Sequence, residues 1–294
     1  MRFITCRLPD GLEDPAILSE DGRQVWPLSW LGLSYETLSE AIPFLTPQVR
    51  YGLSLAIAGI PALPVEAVTL ESPIPAPAQD VICLGINYMG HSDEAEKYSA
   101  AAFATKHEDA IYFSKRVTRA VPDGGPIEAH TDLVKKLDYE CELAVVLGRD
   151  ARDVPAGQTR DYIFGYTILN DVSARDVQTA HKQWYFGKSL DGFTPIGPCI
   201  VTADAFADYP PRLGIRSFVN GEKRQDSNTA LQIFDIDHVI AELSQGMTLK
   251  AGTIIATGTP AGVGMGMDPP QFLKPGDVVR CEIDGIGTLT NPVE

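Results

Sequence analysis

Leu137-Asp138-Tyr139-Glu140-Cys141-Glu142-Leu143-Ala144-Val145-Val146-Leu147-Gly148 changes character halfway, from an acidic head to an unbroken apolar tail. A tail with no polar alternation predicts a strand covered on both faces. Side chains two apart on a strand point to the same side, so Glu140 and Glu142 are expected beside each other at its mouth. Two like charges there are costly unless water or a cation lies between them. On this stretch alone, an exposed amphipathic edge strand and a cation site fit equally well.

Strand patterns dominate outward from it, at residues 81–85, 110–113, 163–169, 199–202, 216–219, 253–257 and 278–283. Pairs such as Pro275-Gly276 and Asp284-Gly285 punctuate the last third as turns. Many strands and few long helices predict a β-rich α+β fold, either a mixed β-sandwich or a distorted barrel. Residues 91–110 read as a helix and mobile loop. Upstream, Arg2-Phe3-Ile4-Thr5 is a strand candidate, Glu20-Asp21-Gly22-Arg23 a turn, and residues 34–54 hold two short helical patterns. The alternating prolines Pro73, Pro75 and Pro77 suit only an extended connector. A boundary placed there gives a small N-terminal α+β domain, residues 1–72, and a larger domain, residues 73–294.

Composition narrows the class. With 39 acids against 24 bases, the formal charge of −15 argues against nucleic acid or an anionic membrane as partner. A cation and a few lysines can still invert the field of one pocket, so a small anionic substrate fits. The five cysteines form no CxxC pair, and residues 1–11 contain no long apolar run. The apolar run at 51–65 is interrupted by Pro61 and Pro64 and falls short of the roughly 20 residues of a membrane span. A cytoplasmic, reducing location is the expectation.

A second stretch tips the balance at the carboxylates. Ile168-Leu169-Asn170-Asp171-Val172-Ser173-Ala174-Arg175-Asp176-Val177-Gln178 runs from a strand into a turn or helix start. Asp171, at the strand end, suits either a helix cap or a third oxygen ligand. Three hard carboxylate oxygens without His or Cys favour Mg2+, with Mn2+ or Ca2+ as alternatives, over zinc.

Six pieces in order carry a resemblance to the fumarylacetoacetate hydrolase family, over most of residues 73–293. They are Gly85-x-Asn87-Tyr88 followed by His91, Asp138-Tyr139-Glu140-x-Glu142-Leu143, Asn170-Asp171-Val172-Ser173-Ala174-Arg175-Asp176-x-Gln178, Gly187-Lys188-Ser189-x-Asp191, Thr257-Gly258-Thr259-Pro260-x-Gly262-Val263-Gly264, and Leu273-Lys274-Pro275-Gly276-Asp277. The resemblance implies a mixed β-sandwich roll, usually a homodimer. It also implies Mg2+ or a similar ion on Glu140, Glu142 and Asp171, and short 2-oxo or 2,4-dioxo acids as substrates. It implies catalytic roles for His91, Glu94 and Lys188, with Arg175, Gln178 and Thr259 contacting substrate. His91 and Glu94, three apart, share a helix face and suit a water-activating or proton-shuttling dyad. Lys188 is expected to be buried beside the developing enolate. The segment 91–103 is expected to act as a lid. His107, His130, His181 and His238 show no pattern and read as structural or surface residues.

One departure sorts the branches. Fumarylacetoacetases proper carry a further metal-binding Asp seven residues before their catalytic His, where this sequence has Leu84. The pattern is more similar to the acylpyruvase, oxaloacetate decarboxylase and hydroxymuconate isomerase members. The leading expectation is Mg2+-dependent C–C hydrolysis of a 2,4-dioxo acid of acylpyruvate type, with His91 activating water. Decarboxylation or enol–keto isomerisation of oxaloacetate or 2-hydroxymuconate-type diacids, in aromatic catabolism, is the alternative. A non-catalytic metabolite-binding protein on the same fold would be signalled by loss of the His, Glu or Lys, and all three are present.

Overall fold

The strand Cys141–Leu147 lies inside a mixed sheet, with every residue buried. The computed structural model describes residues 1–103 and 107–294, so part of the 91–110 expectation lies outside the described residues. Across the sheet the order is Leu63–Pro64, Gln24–Pro27, Glu13–Leu18, Arg2–Arg7, Ile196–Thr202, Ile163–Asn170, Cys141–Leu147, Ile254–Ala256, Val81–Leu84 and Tyr112–Lys115. Thr69–Glu71 adds a short pairing to Arg2–Arg7. The Val81–Leu84 and Ile254–Ala256 pair is parallel, and its neighbours are antiparallel. The path has two ends, so the sheet does not close into a barrel. A second sheet of four strands runs in the order Glu222–Asn228, Gly214–Val219, Val278–Ile283, Gly287–Pro292.

Alternation along Cys141–Leu147 explains why it carries no polar face. Cys141, Leu143, Val145 and Leu147 pack with Ile215, Val279, Cys281 and Ile283 of the second sheet. Ala144 and Val146 point the other way, into a cluster with Leu38, Ala41, Ile42 and Leu45. That cover comes from the N-terminal segment, where the helices Leu38–Ala41 and Pro47–Ala56 are each capped by a threonine hydroxyl, of Thr37 and Thr46. The strands of residues 1–72 continue the same sheet, because Arg2 and Phe3 pair with Val201 and Ile200.

The expectation of one strand carrying both Glu140 and Glu142 needs one correction. The ladder is interrupted between Leu137–Asp138 and Cys141–Leu147, and Glu140 sits in the gap. Its backbone bonds go elsewhere: its N–H donates to Asn170 Oδ1 at 3.0 Å, and its carbonyl accepts from the Asp171 N–H at 2.8 Å. The hairpin joining Gly214–Val219 to Glu222–Asn228 went unread because Glu222–Asn228 has no apolar residue. Its turn, Asn220-Gly221, has both residues at positive φ, the geometry such hairpins need. The five cysteines are buried and free. Among the described residues no helix is long and apolar enough to cross a membrane.

Candidate active site and metal centre

Strand register brings the three carboxylates together. Cys141 pairs with Asn170 and Glu142 with Leu169, so Asp171 emerges beside Glu140. One oxygen from each of Glu140, Glu142 and Asp171 lies within 4.8 Å of the others, and all three residues are buried. Asp171 does not cap the following helix; that helix, Arg175–Ala180, has no side-chain cap.

Three buried cations surround the trio. Lys188 Nζ lies 2.7 Å from both Glu140 Oε2 and Asp171 Oδ2. Arg175 reaches Glu140 Oε1 at 2.6 Å and Asp138 Oδ2 at 2.9 Å. Lys115 reaches Asp171 Oδ1 at 2.6 Å. Burial works to raise the Glu140 carboxyl, but Lys188 and Arg175 outweigh it and hold the group well below the ordinary range. Glu142 goes the other way: burial, with Asp171 and Glu140 adding repulsion, pushes its carboxyl well above the usual range.

Glu142 therefore provides the test of whether these residues suit a metal. Its Oε2 accepts the Gly258 N–H at 2.8 Å, while Oε1 is buried without a hydrogen-bond partner. Buried polar atoms are normally satisfied, and an all-oxygen donor set suits a hard divalent cation. Counting Asp138, four buried carboxylates face three buried cations. A divalent ion would convert that single excess negative charge into a single positive one.

The Gly258 contact depends on backbone shape. Gly258 has φ +88°, and a Cβ there would stand 2.7 Å from Asn87 Cβ. Asn87 is itself fixed by the Thr257 and Phe234 carbonyls at 2.8 and 2.9 Å. We expect Gly258→Ala to cost about 1–3 kcal/mol of stability, measured as a shift of the urea midpoint; an unchanged midpoint would show that the loop yields freely.

Next to the trio is a small cavity of about 10 Å³, the room of roughly one water molecule. Its lining includes Glu140, His91, Arg175, Gln178 and Lys188, closed off by Phe103, Trp184 and Met265. Among the described residues, Glu142 Oε1, His91 Nδ1 and Arg175 Nη2 are buried here without a hydrogen-bond partner. His91 and Glu94 do share one face of the helix Met89–Phe103, but their closest approach is 3.8 Å, and Glu94 instead accepts the Gly262 N–H at 3.0 Å. Gln178 accepts from Arg175 at 3.2 Å. Thr259 is not brought to the cavity: its hydroxyl donates to the Cys141 carbonyl at 2.9 Å and accepts from Gln225. The helix leaves regular geometry at Ser99 and returns to place Phe103 against Trp184, ring centroids 5.6 Å apart. Gly85 admits that cover, since a Cβ there would meet the Trp184 ring at 2.5 Å. A larger cavity of about 470 Å³ near Arg50, Arg149 and Arg160 lies away from the carboxylates, and its Arg50 is already engaged by Asp204.

Sequence reasoning left Lys115, Asp138 and Trp184 without roles. Asp138 was quoted within a motif, yet it is the anchor of the site: it accepts from Gly264 and Met265 N–H groups and from Arg175. Lys115 lacked any motif signal.

Residues 80–294 match the family model described as fumarylacetoacetate (FAA) hydrolase C-terminal, and the chain belongs to the fumarylacetoacetate hydrolase family of enzymes. Over 226 residues it is 43% identical to oxaloacetate tautomerase YisK of Bacillus subtilis (strain 168), covering 77% of this chain and 73% of that protein. Among solved structures it is similar to fumarylacetoacetate hydrolase from psychrophilic Exiguobacterium antarcticum, with 36% identity, TM-score 0.82, and 100% and 99% of the two chains covered. It is also similar to maleylpyruvate hydrolase from Sphingobium sp. SYK-6 in complex with manganese(II) and pyruvate, with 28% identity, TM-score 0.78, and 100% and 98% covered.

Proposed function

We propose that this chain is a divalent-metal-dependent enzyme that enolises a short 2-oxo acid, and that its reaction is keto–enol interconversion of a four-carbon 2-oxo diacid of oxaloacetate type. The observation that carries the reading is the trio of buried carboxylates with an unpartnered Glu142 oxygen, walled by three cations beside a small cavity. Glu140, Glu142 and Asp171 would hold the cation, Mg2+ or Mn2+, which when bound supplies Lewis acidity toward a carboxylate and its neighbouring oxo group.

The chain's own residues do the rest. Lys188, buried in the cavity wall, places its ammonium where negative charge grows on the 2-oxo oxygen. Arg175 Nη2 has no other partner and suits a second carboxylate, with Gln178 alongside. His91, in the lining and unpartnered at Nδ1, is placed to move a proton at C3. Phe103 and Trp184 line the same cavity, and this cover would have to draw back to admit a four-carbon acid and return to keep bulk water out. Tautomerisation moves one proton from C3 to the 2-oxo oxygen, so His91 would take it at C3 and the Lys188 ammonium would supply one at the oxygen; the likeness to the Bacillus tautomerase supports this reading.

Hydrolysis of a C–C bond in a 2,4-dioxo acid remains the second reading. It is favoured by His91 and Glu94 facing each other on one helix, where a small rotation would close 3.8 Å to a hydrogen bond, and by the likeness to the Sphingobium hydrolase. The experiment is to follow the ultraviolet enol signal of oxaloacetate with protein plus Mg2+, protein plus EDTA, and Mg2+ alone, with product analysis on acetylpyruvate in parallel. We expect Mg2+-dependent enol–keto relaxation above the metal-only rate and without carbon loss. Cleavage of acetylpyruvate alone would transfer the assignment to hydrolysis, and no metal-dependent turnover of either acid would sink both.

A further inference from the structure

Lys115 ends the strand Tyr112–Lys115 at the edge of the large sheet, paired with Val81, and is fully buried. Burying an ammonium is costly, and an apolar side chain of like volume often serves stability as well or better. What the charge adds is local. Nζ lies 2.6 Å from Asp171 Oδ1 and donates to the Val172 carbonyl at 2.9 Å. Those acceptors belong to consecutive residues immediately after the strand Ile163–Asn170.

The backbone of Asp171 is already held: its N–H donates to the Glu140 carbonyl at 2.8 Å, and its carbonyl accepts the Ser173 hydroxyl at 2.9 Å. The remaining freedom is rotation of the carboxylate, which Lys115 at Oδ1 and Lys188 at Oδ2 restrain from opposite ends. With Oδ1 fixed, Oδ2 is turned to the side it shares with Glu140, where Lys188 touches both. Two residues earlier on the same strand, Phe113 stands 5.4 Å from Trp184 and 5.2 Å from Lys188 Nζ. One strand thus supports both a carboxylate of the trio and the aromatic cover.

We propose that Lys115 is a positioning residue of the metal centre, orienting the Asp171 carboxylate so that one of its oxygens is presented to the cation. This rests on the trio holding a divalent ion, as proposed above. Groups that hydrogen-bond a ligating carboxylate typically account for about 10–100-fold in metal affinity, and positioning has a sign that plain electrostatics lacks. Deleting a nearby positive charge tightens cation binding if charge alone matters, and weakens it if orientation matters.

The test is Mn2+ titration, by calorimetry and by the spin-resonance signal of free Mn2+, on the wild type, Lys115→Met and Lys115→Gln, with unfolding midpoints in EDTA to identify folded variants. We expect each folded variant to bind Mn2+ about 10–100-fold more weakly, with no matching dependence on its midpoint. Unchanged or tighter binding by a folded variant overturns the role of Lys115 while leaving the centre intact. A wild type that binds no Mn2+ overturns the centre itself, and with it this role.

Discussion

Glu142→Gln is expected to give a folded protein that no longer retains a divalent cation. Glutamine keeps the shape and can still accept the Gly258 N–H, but it removes the charge that burial, Asp171 and Glu140 make least favourable. Without metal, the variant should unfold at the same denaturant concentration as the wild type or a higher one, because a repelled buried carboxylate has become neutral. Its Mn2+ affinity should fall by more than about 100-fold, since losing a ligand exceeds losing a ligand's neighbour. Turnover of oxaloacetate should drop to the metal-only rate. Calorimetry of Mn2+ binding and denaturation in EDTA read the two halves separately. A variant that binds Mn2+ like the wild type would remove Glu142 from the ligand set.

Lys188→Met should separate binding from chemistry. Lys188 touches Glu140 and Asp171 from the cavity wall, so its loss removes a competing positive charge together with a hydrogen bond to each carboxylate, and the kinetics are read at saturating metal so that a change in Mn2+ affinity does not enter. It also removes the ammonium facing the growing enolate charge. Loss of one such group typically lowers kcat by about 10²–10³-fold, and we expect that fall with a much smaller change in KM. Steady-state kinetics at saturating Mg2+ measure it. An effect confined to KM would make Lys188 a ground-state binding group instead.

How far the sequence carried the account depends on the range of the interactions. The trio was legible because strand alternation set Glu140 beside Glu142 and the family resemblance added Asp171, and cross-strand pairing brings the three together. Even the interruption at Glu140 did not separate them, since Asn170 and Asp171 replace the missing ladder bonds. Lys115 was not legible. It sits in a short strand between Ser114 and Arg116, where a lysine normally reads as an exposed edge, and only the tertiary fold brings it, fully buried, against Asp171 and Val172.

Thr259 illustrates the opposite limit. A Gly-Thr-Pro turn reads as a donor toward a substrate carboxylate, yet the strand Ile254–Ala256 leads its hydroxyl into the Cys141 backbone and Gln225. Gln225 arrives from Glu222–Asn228, the strand whose composition hid it. The covering helix was readable as a helix, but its turn at Ser99 and the return of Phe103 to Trp184 depend on contacts far apart in sequence.

The claim on which all of this stands is that three carboxylates hold one divalent cation. Anomalous scattering from crystals grown with Mn2+ tests it most directly. The account predicts one peak per chain, at about 2.1 Å from an oxygen of each of Glu140, Glu142 and Asp171. No peak there, or Mn2+ bound only elsewhere on this acidic surface, would contradict it.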